Sequence, residues 1–351
     1  MKTSVKICIV IIGMIIMNWC FTLAVLACSR VMYEGTNGMV ITARSMDWKT
    51  DVGTNLWIFP RGMARNGEAG PNSVHWTSKY GSVVASAFEI STCDGMNEKG
   101  LVANVLWLAE SDYPKLDGKK PGLSIAVWVQ YVLDNFATVD EAVRELQKET
   151  FSVGTTDIPG STEGLATLHL SVSDPSGDNA IFEYIHGKLV IHHDRSYHVM
   201  TNSPIFEKQL ALDEYWKEVG GTTMLPGTNR AADRFVRASF YINAIPKTDN
   251  TRVALASVFS VIRNCSAPYG ISTSNQPNIS STRWRTVYDQ RDKVFYFESV
   301  LSPEIFWVDF KDVDFSEKAP VKKLDLVNGE IYSKNAVKDF KVAQPFKFRG
   351  I

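Results

Sequence analysis

The residues with the most chemical capacity stand near the start of the chain: Cys28, then Arg44 and Asp47 within Thr42-Ala43-Arg44-Ser45-Met46-Asp47-Trp48. Cys28 directly follows what reads as a removable targeting segment. Lys2 and Lys6 give that segment a positive start, an apolar run extends from Ile7 to Ala27, and Val25-Leu26-Ala27 offers the small residue that a signal peptidase needs. Cleavage after Ala27 would make Cys28 the first residue, so that one residue carries both a nucleophile and a base. A thiol has an unperturbed pKa of about 8.5 and an α-amine one of about 7.7 to 8.0, so the amine can take the thiol proton near neutral pH.

Two other uses of the same segment stay open. A cysteine just after a signal segment is also a site for lipid attachment, although such sites prefer Leu three residues earlier, where this chain has Val25. Lipidation would block the amine and thiol of Cys28 and leave a lipid-anchored binding protein without catalysis. The apolar run is also about the length of a membrane span, but Asn18 interrupts it.

The chain has 351 residues, and 351 less 27 leaves 324, enough for one large domain comprising residues 28–351. Hydrophobic residues make up 45% and charged residues 21%, which is globular composition. Loss of Lys2 and Lys6 takes the formal net charge from -1 to -3. With no basic tract, nothing argues for nucleic acid, and membrane contact is expected only through the segment before cleavage. Cys8 and Cys20 leave with that segment, and Cys28, Cys93 and Cys265 remain. An odd number in an exported chain leaves at least one thiol unpaired; a Cys93 to Cys265 disulfide is left open. Motifs of the CxxC, HExxH, GxGxxG, GxxxxGK and GxSxG types do not occur, so neither metal nor cofactor is expected.

The elements that must position these residues follow from periodicity. Arg30 to Tyr33 and Met39 to Ala43 read as strands joined through Asn37-Gly38, a strong hairpin signal. Leu56 to Phe59, Ser82 to Phe88 and Leu101 to Leu108 read as strands, with 94–100 as the turn between the last two. Leu123 to Phe136 has helical spacing, and Thr138-Val139-Asp140-Glu141 is a capping box that opens a second helix. Strands resume over residues 167–201, helical periods return at 205–218, 231–244 and 252–263, and a last strand group runs from 286 to 325. Two blocks of antiparallel strands, each followed by paired helices, predict two sheets face to face with helices outside.

At this point the chain resembles the choloylglycine hydrolase and penicillin V acylase family of N-terminal-nucleophile hydrolases. The motifs that carry the resemblance are Cys28, Arg44 with Asp47, residues 94–101, Thr201-Asn202-Ser203-Pro204, Leu225-Pro226-Gly227 leading to Asp233-Arg234-Phe235-Val236-Arg237, and Thr282 with Trp284, Val287 and Asp289. The resemblance implies an α+β fold, a four-layer αββα sandwich, and hydrolysis of a linear amide through a thioester on Cys28. It implies that Arg44 favours the thiolate, that Asp47 holds the α-amine, that Asn202 offers an N–H to the oxyanion, and that Arg234 organises the charges around Cys28 and Asp47. Asp47 and Arg44 alone would read as a surface ion pair, Asn202 before Ser-Pro as a turn, and Arg234 as part of a solvated helix face. The histidines at 169, 186, 192, 193 and 198 read as core or surface residues.

Two departures bear on the substrate. Many members carry Asn or Tyr at the position matching Trp107, and here Trp107 and Trp48 together suggest a flat apolar wall for an aromatic or fatty acyl group. The segment from Asn202 to Arg234 also looks shorter than in members from Gram-positive bacteria, where an extra loop helps to assemble a tetramer. Both departures resemble the exported branch from Gram-negative bacteria, associated with cleavage of penicillin V and long-chain N-acyl homoserine lactones. A periplasmic or secreted enzyme is the expectation, a conjugated bile salt hydrolase is the rival, and the oligomeric state, with a homotetramer as the family's example, stays open.

Overall fold

The computed structural model describes residues 28–159, 164–271 and 280–351. The expected targeting segment, residues 1–27, lies outside the described residues. Among the described residues two large sheets face each other. One has seven strands in the order Val199–Thr201, Ser29–Glu34, Val40–Trp48, Ser281–Asp289, Val294–Ser299, Ile305–Asp309, Lys334–Asn335. The other has nine, with Asn179–Ile185, Leu168–Ser173, Val102–Trp107, Ser91–Asn97, Ser82–Ala87 and Leu56–Phe59 as its inner run. Helices Ala231–Ala244 and Thr251–Asn264 cover the outside of the first sheet, and Trp128–Asn135 packs on the second. This is the αββα sandwich that the residue pattern implied.

Local chemistry explains much of it. Asn37 and Gly38 adopt positive φ of 50° and 73°, closing the hairpin between Ser29–Glu34 and Val40–Trp48. The Thr138 hydroxyl accepts the Glu141 N–H at 3.2 Å while the Glu141 carboxylate accepts the Ala137 N–H at 2.7 Å, so helix Val139–Leu146 starts where the sequence places it.

The segment expected as a turn over 94–100 is a correction. Ser91–Asn97 is a buried strand paired on both sides, and only the following residues turn back into Val102–Trp107. Asp, Gly and Asn disfavour strands, but here each answers to its surroundings. A side chain on Gly95 would meet Val84 Cγ1 at 2.7 Å and Leu133 Cδ1 at 2.9 Å. Asn97 donates to the Leu133 and Phe136 carbonyls at 2.9 and 2.8 Å, tying the strand to the helix above it.

Strand Val40–Trp48 is buried on both faces, and its alternation divides the site. Thr42 and Arg44 face the opposite sheet, bonding to Ser173 and Val105. Ser45 and Asp47 face the other way, toward the helix layer.

Candidate active site

Cys28 sits at the head of the first strand and is 3% exposed. Its Sγ lies 3.8 Å from Arg44 Nη2, accepts the Asp47 backbone N–H at 3.4 Å, and approaches the Asp47 carbonyl at 3.6 Å. Its backbone nitrogen donates to Asn202 Oδ1 at 2.5 Å. Burial pushes the Cys28 thiol up, against the pull of the Arg44 guanidinium. The thiol therefore needs a base to become a nucleophile.

Arg44 is fixed on several sides. Nη2 donates to the Val105 carbonyl at 3.1 Å, Nη1 lies 3.6 Å from Asp94 Oδ2, and the guanidinium stacks 4.7 Å from the centre of the Trp284 ring. Burial by itself would weaken its hold on the proton, but the Cys28 thiolate, whenever it forms, and the Asp94 carboxylate more than offset this, so Arg44 stays a cation.

Trp284 reaches that position through a bulge. Thr282 pairs with Asp47 and Trp284 with Met46, leaving Arg283 as the extra residue. The bulge turns Thr282 toward the helix face with Asp47 and Trp284 toward the inter-sheet face with Arg44. The Thr282 hydroxyl donates to Asp47 Oδ1, and Ser45 Oγ lies 3.4 Å from Asp47 Oδ2. Burial raises the Asp47 carboxyl to about 6, against Arg234 and the Thr282 hydrogen bond. The Cys28 nitrogen is directed to Asn202 and not to this carboxylate. In a chain that continues upstream of Cys28 that nitrogen is an amide with one hydrogen, and Asn202 takes it.

Arg234 comes from the helix layer, where a solvated face was one reading; it is fully buried. Nη1 donates to the Cys28 carbonyl at 2.6 Å and to Ser29 Oγ at 2.5 Å, and Nη2 to Asn202 Oδ1 at 3.0 Å. Asn202 Nδ2 donates to the Trp107 carbonyl at 2.7 Å. Donors at Oδ1 and an acceptor at Nδ2 fix the orientation of the amide. Gln209 supports this loop by donating to the Asn202 and Pro204 carbonyls and accepting the Thr201 hydroxyl.

The structure thus brings Cys28, Arg44, Asp47, Asn202 and Arg234 together. Of these, Cys28 and Arg44 line a cleft together with Trp48 and Trp107, whose ring centres are 5.7 Å apart. Apolar side chains such as Val52, Phe88, Ile90, Val105 and Ile125 form most of its remaining wall, which suits an apolar group bonded to a carbonyl carbon. Cys93 and Cys265 are both free and buried, so the disulfide left open is not formed. Among the described residues no group of three His, Cys, Asp or Glu side chains could hold a metal ion.

Residues that the sequence reading did not place are Asp94, Ser45, Gln209 and the bulge at Arg283. Asp94 accepts hydrogen bonds from Asn104, Thr286 Oγ1 at 2.8 Å and Tyr288 Oη at 2.6 Å, besides pairing with Arg44. The available signal was an Asp inside a segment already singled out as a motif.

The chain matches, over residues 28–323, the model of the linear amide C-N hydrolases of the choloylglycine hydrolase family. It is 56% identical to a penicillin V acylase from Pectobacterium atrosepticum over 350 residues, covering 93% of each chain. It is 26% identical to a bile salt hydrolase/transferase from Clostridium perfringens, covering 80% of this chain and 92% of the relative. The solved penicillin V acylase from Agrobacterium tumefaciens superposes with a TM-score of 0.86 at 65% identity, over 92% of this chain and all of the other. A conjugated bile acid hydrolase variant from Clostridium perfringens superposes at 0.72 and 22% identity, over 88% of this chain and 98% of that one, a likeness of fold. The chain therefore belongs to the choloylglycine hydrolase family and is a linear amide C-N hydrolase.

Proposed function

We propose that this hydrolase is an exported acylase whose nucleophile is the thiol of an N-terminal Cys28, freed by removal of residues 1–27, acting on penicillin V and on long-chain N-acyl homoserine lactones. The observation that carries the reading is the convergence on one residue: Cys28 Sγ meets Arg44 and the Asp47 N–H, while Cys28 N meets Asn202. Penicillin V is named because the relatives at 56% and 65% identity are penicillin V acylases. The apolar cleft with Trp48 and Trp107 suits a phenoxyacetyl or fatty acyl group.

The chemistry runs as follows. The free amine takes the proton from the thiol, whose own pKa is too high for it to ionise alone. Sulfur attacks the amide carbonyl carbon. The developing oxyanion is met by the second Asn202 Nδ2–H, the first being committed to Trp107. Collapse of the tetrahedral species breaks the C–N bond, the amine passes its proton to the leaving nitrogen, and an acyl thioester remains. Water, deprotonated by the same amine, then hydrolyses the thioester and restores the thiol. Once the amine is free it carries hydrogens beyond the one given to Asn202, and the Asp47 carboxylate next to Cys28 would accept one. Arg234 holds the Cys28 carbonyl and the Asn202 amide, so nucleophile and oxyanion donor share one anchor.

The test is amine release from penicillin V, a long-chain acyl homoserine lactone and glycocholate in parallel, with Cys28→Ala as control. Preference for either of the first two, lost in the control, supports the reading. Preference for glycocholate moves the chain to the bile salt hydrolases, and absence of any Cys28-dependent turnover favours a non-catalytic, lipid-anchored protein. The same preparation reports export, lipidation and oligomeric state through its intact mass and its mass in solution; the proposal is an unmodified N-terminal Cys28 in an exported homo-oligomer.

A further inference from the structure

The cleft that descends to Cys28 carries one feature unlike the rest of its wall. Asp157 and Arg349 line it together, among side chains that are otherwise mainly apolar. Arg349 grips Asp157 with its guanidinium fork: Nε donates to Oδ1 at 3.1 Å, and Nη2 lies 2.7 Å from each of the two carboxylate oxygens. Their side chains are 46% and 57% exposed, whereas Cys28 is 3% exposed, so the pair lies at the rim and the thiol at the floor.

Arg349 is held there by its backbone. Its N–H donates to the Ile90 carbonyl at 2.8 Å, and its carbonyl accepts Ser124 Oγ at 2.7 Å. On the following residues, the Gly350 carbonyl accepts Thr156 Oγ1 at 2.9 Å and the Ile351 N–H donates to the Glu68 carbonyl at 3.0 Å. The strap so formed ties together segments far apart in sequence. Truncation of the Arg349 side chain leaves all four of these bonds in place. An exposed ion pair contributes little to stability.

Resting on the acylase reading, we propose that the Asp157–Arg349 pair sets the longest acyl chain the enzyme accepts. An acyl group attached at Cys28 lies against apolar wall as it extends outward, and each added methylene that leaves water raises transition-state binding by about fourfold. At the rim the next methylene meets an ion pair instead. Covering the pair strips water from two charges already satisfied by each other, and that cost cancels the gain. Chains up to the rim profit from their length, and longer ones do not.

The experiment measures kcat/KM for a graded series of straight-chain N-acyl homoserine lactones, with penicillin V as an internal control. The variants are Asp157→Ala with Arg349→Ala, and the exchanged pair Asp157→Arg with Arg349→Asp. The expected result is a wild-type optimum beyond which rates fall. In the double alanine variant rates should keep rising by about fourfold per methylene past that optimum, and in the exchanged pair the wild-type optimum should return. Penicillin V turnover of each variant is the reference against which its lactone rates are read. An optimum that does not move in the double alanine variant overturns the proposal while leaving the acylase reading intact, and an exchanged pair that behaves like the alanine variant also overturns it. Absence of Cys28-dependent turnover in the wild type, for penicillin V and the lactones alike, removes the acylase reading and the proposal with it.

Discussion

Asn202 Oδ1 lies 2.5 Å from the nitrogen of Cys28. One side chain thereby holds the backbone nitrogen of the proposed nucleophile and, through its other amide atom, carries the proposed oxyanion donor. Asn202→Ala should remove both functions and leave Arg234 Nη2 without its acceptor. The expected loss in kcat is about 10²- to 10³-fold, checked by steady-state kinetics on penicillin V. Asn202→Asp keeps the acceptor and removes the donor, so it should lose kcat while its melting temperature stays closer to the wild type than that of Asn202→Ala.

Asp94 is the buried counter-charge of Arg44, and burial raises its carboxyl above the usual range even with Arg44, Tyr288, Thr286 and Asn104 favouring the ion. Asp94→Leu would leave the Arg44 cation without its partner, and breaking such a pair costs about 3 to 5 kcal/mol. Chemical denaturation should report that loss. The released guanidinium should also drift from the thiol, so alkylation of Cys28 by iodoacetamide should need a higher pH than in the wild type. An unchanged alkylation profile would count against a role for Asp94 in holding Arg44.

The Asp47 carboxyl stands at about 6 when folded, against an ordinary value of 3.8. The folded state therefore holds this proton more tightly than the unfolded chain. Its contribution to stability is fully present below pH 4 and is lost as pH rises through about 6. The difference corresponds to roughly 3 kcal/mol. Asp47→Asn should flatten the melting temperature between pH 4 and 6 and raise it at pH 7, while losing activity; a parallel, unflattened profile would contradict the assignment.

Much of the fold could be read from residue pattern because it rests on local rules. Asn37-Gly38 closes a hairpin by its own backbone preference, and Thr138 with Glu141 caps a helix without help from elsewhere. Asp94, Gly95 and Asn97 could not be read that way. Their polar or missing side chains answer to Arg44, Val84, Leu133 and Phe136, all supplied by other parts of the chain. Cys28 stood out by its place directly after the expected targeting segment, whereas the roles of Arg44, Asp47, Asn202 and Arg234 came from the family resemblance, since residue type alone favoured a surface pair, a turn and a solvated face. The bulge that turns Trp284 beneath Arg44 depends on register between two strands separated by more than 200 residues in sequence, and no local signal marks it.

Trp107 is 9% exposed and pairs with Trp48 in the cleft wall. Trp107→Asn should lower turnover of penicillin V and of long-chain acyl homoserine lactones relative to glycocholate, because an apolar plane is exchanged for a smaller polar amide. Relative rates for the three substrates check this, and unchanged ratios would remove Trp107 from the acyl site.

The central claim is that the amine and thiol of one residue act together. Its most direct measurement compares two chains with the same fold, one beginning at Cys28 and one beginning with a single Ala before it, for release of the amine product from penicillin V. The account predicts turnover in the first and, in the second, no more than in Cys28→Ala. Equal turnover in both would show that the α-amine of Cys28 is not the base.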